Sequence, residues 1–516
     1  MSKIQLLWVD DEIELLKPHI LFLKEKEFET HPCNNGLEAI ELVKNQPFDA
    51  VLLDENMPGL SGLETLAAIK IAQPNLPVIM VTKNEEELIM NEAIGGKISD
   101  YLIKPVNPNQ ILLSLKKTLQ QKHLVSEKTI KSYQQAFREI SLSLNALNDA
   151  DQWIDFYQKL LFWELELENL EDLSMLEMLE AQKQEANIRF AKFVDEHYAQ
   201  WIDGKDRTPV LSHQLMKQKV FPQLTKKSNT LMVVIDNLRM DQWKVISPFL
   251  NDNFRTVEES AYFSILPTAT QYARNALFSG LTPYEMDHCH PQWWKKDHEE
   301  GGKNLFEKEF FSACLERNHE NLSWSYHKIT QLQAGKNLVK NLANHQNEQL
   351  TIVVYNFVDM ISHAKTEMEI IKELAADDKA YRSLTRSWFR NSPLSDLLQK
   401  ARQLGSQVII TTDHGTLNVA KPSEVISQKE ASLNLRYKTG RSLTFKPNDV
   451  VQIATPQKFG LPADHLNSEF IFAKDTVYFV YKNQYNHYAK LFKNTFQHGG
   501  ISMEEMIVPF VVLRPR

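Results

Sequence analysis

The sequence predicts a multidomain α/β protein, with a parallel sheet at each end of the chain and a helical region between them. Three observations carry this. Residues 1–120 alternate short apolar runs with amphipathic stretches, the pattern of a small doubly wound sheet. Residues 121–205 repeat apolar positions at helical spacing and show no strand signal. From about residue 206 the β-branched runs return on a larger scale, and three lead into an aspartate: Thr230–Asp236, Leu350–Asp359, and Val408–Ile410 before Asp413. Open α/β sheets present their chemistry at such strand ends. The expected domains are therefore 1–120, 121–205 and 206–516.

Composition narrows the class. A chain of 516 residues holds two to four domains, and 43% hydrophobic with 24% charged residues is ordinary for a globular protein. The net charge of −8 argues against a surface that coats nucleic acid, although a local basic groove stays open. Three cysteines (Cys33, Cys289, Cys314) share no close spacing, so neither a disulfide framework nor a CxxC metal site is indicated. The opening MSKIQLLWVDD enters a strand at once, without a basic-then-apolar leader. No apolar run approaches the ~20 residues that span a bilayer. A cytoplasmic location without membrane insertion is expected.

Within 1–120, strands are expected at Ile4–Val9, Ala50–Leu53, Val78–Val81 and Asp100–Ile103, and helices at Glu12–Lys26, Gly36–Asn45, Ser61–Ala72 and Asn109–Gln120. Asp10 and Asp11 follow the first strand, and Asp54 follows Ala50–Leu53 in LLDENMPG. Thr82 ends the next strand, and Lys104 precedes a proline in YLIKP. Clustered carboxylates bind a hard cation through oxygen, and that cation offsets charge on an incoming phosphoryl group. In order and spacing these positions resemble the receiver domain of two-component response regulators. The resemblance implies a flavodoxin-like fold, Asp54 as phosphoacceptor, and Mg²⁺ held by Asp10, Asp11, Asp54 and the Asn56 carbonyl. It implies Thr82 and Lys104 as phosphoryl contacts, Tyr101 as the aromatic reporter of the switch, and a sensor histidine kinase as partner. Lys83 departs from the family, which usually has a small residue there.

Residues 121–205 read as three or more packed helices. Ile130, Tyr133, Phe137, Ile140 and Leu144 recur at helical spacing. The aromatic residues Trp153, Phe156, Phe162 and Trp163 are expected in the core. Acidic runs such as WELELENLEDLSMLEMLE argue against a helix-turn-helix reader of DNA, which must approach phosphates.

The last region gathers metal-ligand chemistry. Asp236 ends the first strand, and Thr268 and Thr270 lie in a small-residue turn before a helix. Asp359 and His363 stand four apart in DMISH, Asp413 and His414 are adjacent, and His498 sits in QHGGISMEEMIVP. Three carboxylates, three imidazoles and a hydroxyl are about what two zinc-like ions need, and Mn²⁺ suits similar ligands. The ordered set resembles the alkaline phosphatase superfamily and, within it, the PglZ-type domains. The resemblance implies one Zn²⁺ held by Asp236, Asp413 and His414 beside the nucleophile, and a second held by Asp359, His363 and His498. Thr270 is preferred over Thr268 as nucleophile and metal contact. It precedes Gly280 by ten residues, the spacing found in the related nucleotide pyrophosphatases/phosphodiesterases. Arg239 and Arg274 are candidate phosphoryl clamps or, equally, surface arginines paired with acids. His288, His290 and His465 are rim groups or merely exposed polar residues.

Together the two ends resemble the PorX-type response regulators, associated with type IX secretion. The resemblance implies phosphorylation-dependent homodimerisation and an output of hydrolysis rather than DNA binding. The expected function is a zinc-dependent phosphodiesterase acting on nucleotide or oligonucleotide phosphodiesters. A phosphomonoesterase is the neighbouring alternative. An adaptor that binds a secretion, transcription or sigma-factor component is another.

Overall fold

The computed structural model describes residues 4–83, 98–168, 173–204, 208–225, 229–356, 375, 377–426, 434–463, 465 and 467–516, leaving aside the side chains of 120–128 and 173. It divides into two compact units, Met1–Gln135 and Ala136–Arg516.

The first unit holds five parallel strands: β1 (Ile4–Val9), β2 (Phe28–Cys33), β3 (Ala50–Leu53), β4 (Val78–Thr82) and β5 (Asp100–Ile103), in the order β2-β1-β3-β4-β5. Successive side chains of a strand point to opposite faces. Leu7, Val9, Val51 and Leu53 therefore fill one core, and Leu6, Trp8 and Leu52 the other. A strand buried on both faces must be apolar throughout, which makes β1, β3 and β4 legible in sequence. β2 was not expected. Its sequence FETHPC is polar, and as an edge strand paired only with β1 it tolerates Pro32.

The helices Gly36–Asn45 and Gly62–Ala72 start on Asn35 and Ser61, whose side chains accept the N–H groups of Glu38 and Glu64. A Cβ at Gly62 would sit 2.4 Å from the Asp54 carbonyl oxygen, so only glycine lets this helix approach the end of β3. The helix expected at Asn109–Gln120 runs instead from Pro108 to Ser143.

In the second unit the chain forms β6 (Thr230–Ile235), β7 (Phe254–Phe263), β8 (Trp324–Ile329), β9 (Leu350–Tyr355) and β10 (Gln407–Thr411). Short strands follow: β11 (Leu417–Val419), β12 (Lys421–Val425), β13 (Tyr437–Gly440), β14 (Val450–Ile453), β15 (Glu469–Ala473), β16 (Val477–Tyr481) and β17 (Thr495–Gln497). The last is β18 (Ile507–Pro515). The main sheet is ordered β7-β18-β10-β6-β9-β8. β10, β6, β9 and β8 are parallel, so the chain after β6, β9 and β10 emerges on one rim. β18 pairs antiparallel with both β10 and β7, which makes the sheet mixed.

Helices Ala150–Leu167 and Leu173–Ile202 belong to this second unit and are tied to it by buried charge. Glu164 lies 2.8 Å from Lys183 Nζ and 2.7 Å from Arg382 Nη1, which in turn lies 2.6 Å from Asp241. Trp153 and Phe156 are buried as expected, but Phe162 is 55% exposed. The buried stripe of its helix runs through 153, 156, 157, 160, 161, 164 and 167, leaving 162 on the opposite side.

His213, in the short 3-10 turn Ser212–Gln214, keeps Nδ1 away from water without a hydrogen-bond partner among the described residues. Burial depresses its pKa from 6.5 to about 4. Between those values the unfolded chain binds more protons than the folded one, so stability is complete above pH 6.5 and is lost as the pH falls toward 4. The expected loss is up to about 3 kcal/mol. Urea melts at pH 7.5 and 4.5 should show a smaller acid loss in His213→Gln than in the wild type.

Candidate functional site

Two carboxylate clusters lie at strand ends. In the first unit the donor atoms of Asp10, Asp11 and Asp54 fall within 4.8 Å of one another. An all-oxygen set of this kind suits Mg²⁺. Lys104 Nζ stands 2.6 Å from Asp10 Oδ2 and 3.1 Å from Asp54 Oδ2. The Asp54 Oδ1 accepts the Glu55 N–H at 2.9 Å. Burial raises the Asp54 pKa despite the opposing pull of Lys104. Thr82 is buried at the end of β4, and its carbonyl accepts the Lys104 N–H at 2.7 Å, so the two lie side by side. Tyr101 packs partly buried against the core, and Asp11 and Asn56 are exposed. Lys83 reaches Glu12 across the rim, Nζ to Oε2 2.7 Å.

In the second unit Asp236 follows β6, and Asp413 and His414 follow β10. All three are fully buried, with donor atoms within 4.8 Å of one another. His414 Nδ1 lies 2.9 Å from the Gly415 carbonyl, which only accepts, so Nδ1 carries the proton and Nε2 presents its lone pair to the cluster. Two carboxylates and one imidazole with its tautomer set in this way fit a zinc-like ion. A Cβ at Gly415 would meet the Glu504 carbonyl oxygen at 1.9 Å, which explains the glycine after Asp-His.

Thr268 and Thr270 are placed differently. Thr268 is fully buried; its hydroxyl donates to the Gly500 carbonyl at 2.8 Å and accepts the Gly499 N–H at 3.1 Å. Thr270 begins the helix Thr270–Ser279, with Oγ1 at 3.0 Å from His414 Nε2 and 3.5 Å from Asp236 Oδ1. Its hydroxyl therefore faces the cluster at the positive end of a helix. His498 stacks its ring on His414, centroids 4.3 Å apart, and its Nδ1 lies 3.2 Å from the Thr268 carbonyl. Asp359 and His363 lie outside the described residues.

Neither arginine is a surface group. Arg274 is fully buried and bridges the cluster, pairing with Asp236 and lying 3.0 Å by Nε from Asp413 Oδ2. Burial opposes the Asp413 charge, but Arg274, His414 and the Asn237 N–H outweigh it and hold the carboxyl well below its usual range. Arg239 is also buried, yet its guanidinium pairs with Asp241 and Asp378 and lies over the rings of Tyr381 and Phe496. His288 and His465 are exposed, and His290 stacks on Trp293.

Sequence reasoning missed the groups behind the cluster. Arg436 and Glu505, both fully buried, pair at 2.6 Å, and Glu505 Oε1 accepts the Gly500 N–H at 2.9 Å. Its own backbone carbonyl accepts the Gly415 N–H at 3.0 Å. Glu307 touches Arg274 from the other side, Oε1 to Nη1 3.5 Å. The Glu-Glu of ISMEEM was a visible signal; Arg436 and Glu307 stand in segments with none.

Comparison with known families places residues 215–513 in the BREX system PglZ alkaline phosphatase-like domain, 123–202 in the PorX response regulator linker domain and 6–116 in the response regulator receiver domain. Among curated proteins, the chain is 34% identical over 118 residues to the transcriptional regulatory protein ZraR of Klebsiella oxytoca, covering 23% of this chain and 27% of that protein. It is 30% identical over 115 residues to the transcriptional regulatory protein SrrA of Staphylococcus aureus, covering 22% of this chain and 47% of that one. Both matches thus span less than half of the relative. Among solved structures, a CheY-like receiver domain protein from Methanospirillum hungatei JF-1 is 25% identical, with TM-score 0.23, covering 24% of this chain and 98% of its own. An adenylate cyclase from Rhodopirellula baltica is 30% identical with the same TM-score of 0.23, covering 24% of this chain and 94% of its own.

Proposed function

Because the chain belongs to the PglZ alkaline phosphatase-like family and joins that domain to a receiver and a PorX linker, we propose that it is a response regulator whose output is phosphodiester hydrolysis. The observation that carries this reading is Thr270 Oγ1, held 3.0 Å from His414 Nε2 inside a buried Asp-Asp-His cluster. A threonine hydroxyl is a weak nucleophile at neutral pH and needs such surroundings to be activated. Divalent ions, held by Asp236, Asp413 and His414 and by Asp359, His363 and His498, would offset phosphoryl charge and favour the ionised hydroxyl. The Thr270 oxygen, its proton given up to solvent, then attacks phosphorus in line as the P–O bond to the leaving alcohol breaks. That alcohol takes up a proton from solvent, and water cleaves the Thr270–phosphate ester, which releases a phosphomonoester and restores the hydroxyl. The helix N-terminus adds its partial positive charge at the attacking oxygen.

In this reading residues 1–120 receive the phosphoryl group on Asp54 from a sensor histidine kinase, 121–205 transmit, and 206–516 hydrolyse nucleotide or oligonucleotide diesters. Cytoplasmic residence, homodimerisation on phosphorylation and service to type IX secretion belong to the same proposal. Among the described residues no helix is long and apolar enough to cross a membrane.

The test compares zinc-loaded protein on bis-p-nitrophenyl phosphate and p-nitrophenyl phosphate. Faster turnover of the diester supports the reading, and a large preference for the monoester replaces it with a phosphomonoesterase. Metal-replete protein inert on both, yet still bound by a secretion component, would favour the adaptor. Asp54→Asn should take up no label from acetyl phosphate, whereas wild type is labelled and loses the label in base; equal labelling would remove Asp54 from its role.

A further inference from the structure

Arg274 stands among three carboxylates, and only two of them belong to the metal-competent cluster. The third is Glu307, the first residue of the helix Glu307–Arg317, buried with 1% exposure. Its Oε1 lies 3.5 Å from Arg274 Nη1. Its Oε2 accepts the Tyr326 hydroxyl and lies 2.9 Å from Lys328 Nζ. Tyr326 and Lys328 stand two apart on β8 and so share a face of that strand. Lys328 also donates to the Asn304 carbonyl at 2.9 Å, and Asn304 Nδ2 donates to the Thr270 carbonyl at 2.9 Å. One strand face thus reaches both the backbone of Thr270 and the guanidinium beside it.

We propose that Glu307 is a positioning residue which, braced by Lys328 and Tyr326, takes part of the Arg274 guanidinium charge that otherwise rests on Asp236 and Asp413, with which Arg274 also pairs, and so eases a divalent cation's access to those aspartates. The inference rests on the metal-dependent reading above. A guanidinium offers five donors in a fixed fork, and it leans on whichever acceptors surround it. With Glu307 in place, one side of the fork is held from the helix end, where the macrodipole favours a carboxylate. Without it, the full guanidinium charge rests on Asp236 and Asp413 and competes directly with a metal for their oxygens.

The experiment measures Zn²⁺ affinity of the full chain by competition with a chelating dye, for wild type, Glu307→Gln, Glu307→Asp and Lys328→Met. Glu307→Gln keeps the shape and the Tyr326 hydrogen bond but removes the charge, and it should bind Zn²⁺ at least fivefold more weakly. Glu307→Asp should recover to within twofold of wild type. In the zinc-saturated protein Glu307→Gln should lower kcat about tenfold with KM within twofold, as expected when orientation rather than substrate binding is lost. Zinc affinity within twofold of wild type in Glu307→Gln overturns the proposal. If that variant does not fold, the partly exposed Lys328→Met decides: about threefold weaker binding supports the proposal and unchanged binding overturns it. A wild-type chain that binds no zinc defeats the metal-dependent reading and this inference together, whereas one that binds zinc but hydrolyses nothing defeats only the hydrolytic reading.

Discussion

Thr270→Ala is expected to lower phosphodiester turnover about a thousandfold or more while leaving zinc content and thermal stability unchanged. Removing the atom that forms the covalent bond leaves only binding and electrostatic assistance, and nucleophile deletions of this kind are among the largest single-residue effects known in catalysis. Stability should hold because Thr270 begins its helix without a side-chain capping bond. Thr268→Ala is the informative control. Its hydroxyl already joins the Gly500 carbonyl and the Gly499 N–H, next to His498. That variant should lose stability, by about 1–3 kcal/mol for an unsatisfied buried group, and lose activity only in part. Turnover by Thr270→Ala above a tenth of wild type, with Thr268→Ala inactive but folded, would exchange the two roles.

The largest stability effect should come from Arg436→Met. Arg436 pairs with Glu505 through Nε at 3.2 Å and Nη2 at 2.6 Å, and its Nη1 donates to the Asp475 carbonyl at 2.6 Å. Both residues are fully buried, so the substitution strands a carboxylate in the interior. Breaking a buried pair from one side costs about 3–5 kcal/mol. Urea denaturation should show that loss, and zinc affinity should fall with it, because Glu505 holds the loops of both His498 and His414 through the Gly500 and Gly415 N–H groups. Arg436→Met/Glu505→Leu should recover part of the stability, since an apolar pair leaves no unpaired charge. A single variant as stable as wild type would show that water or another cation reaches Glu505.

The sequence alone determined the strands whose residues are buried on both faces, and with them the placement of Asp54, Asp236 and Asp413 at strand ends. A continuous β-branched run admits few other structures, and the polar residue that ends it marks the rim. Edge strands carry no such signal. β2, with FETHPC, satisfies only one neighbour and was invisible, and the antiparallel insertion of β18 between β7 and β10 could not be read from its apolar run.

The tertiary structure decided what depends on residues far apart in the chain. Spacing to Gly280 favoured Thr270, but the bonds engaging Thr268 come from residues more than 200 positions away. Arg274 reads equally as a phosphoryl clamp or a surface arginine paired with acids; the fold buries it and brings Asp413, 139 positions on, to its Nε. Arg239, three residues after Asp236, is turned instead toward Asp241 and Asp378. Hydrophobic periodicity is a local property that the chain carries with it, whereas the partner of a buried charge is whichever opposite charge the packed sheet delivers, and desolvation penalises every arrangement in which none arrives.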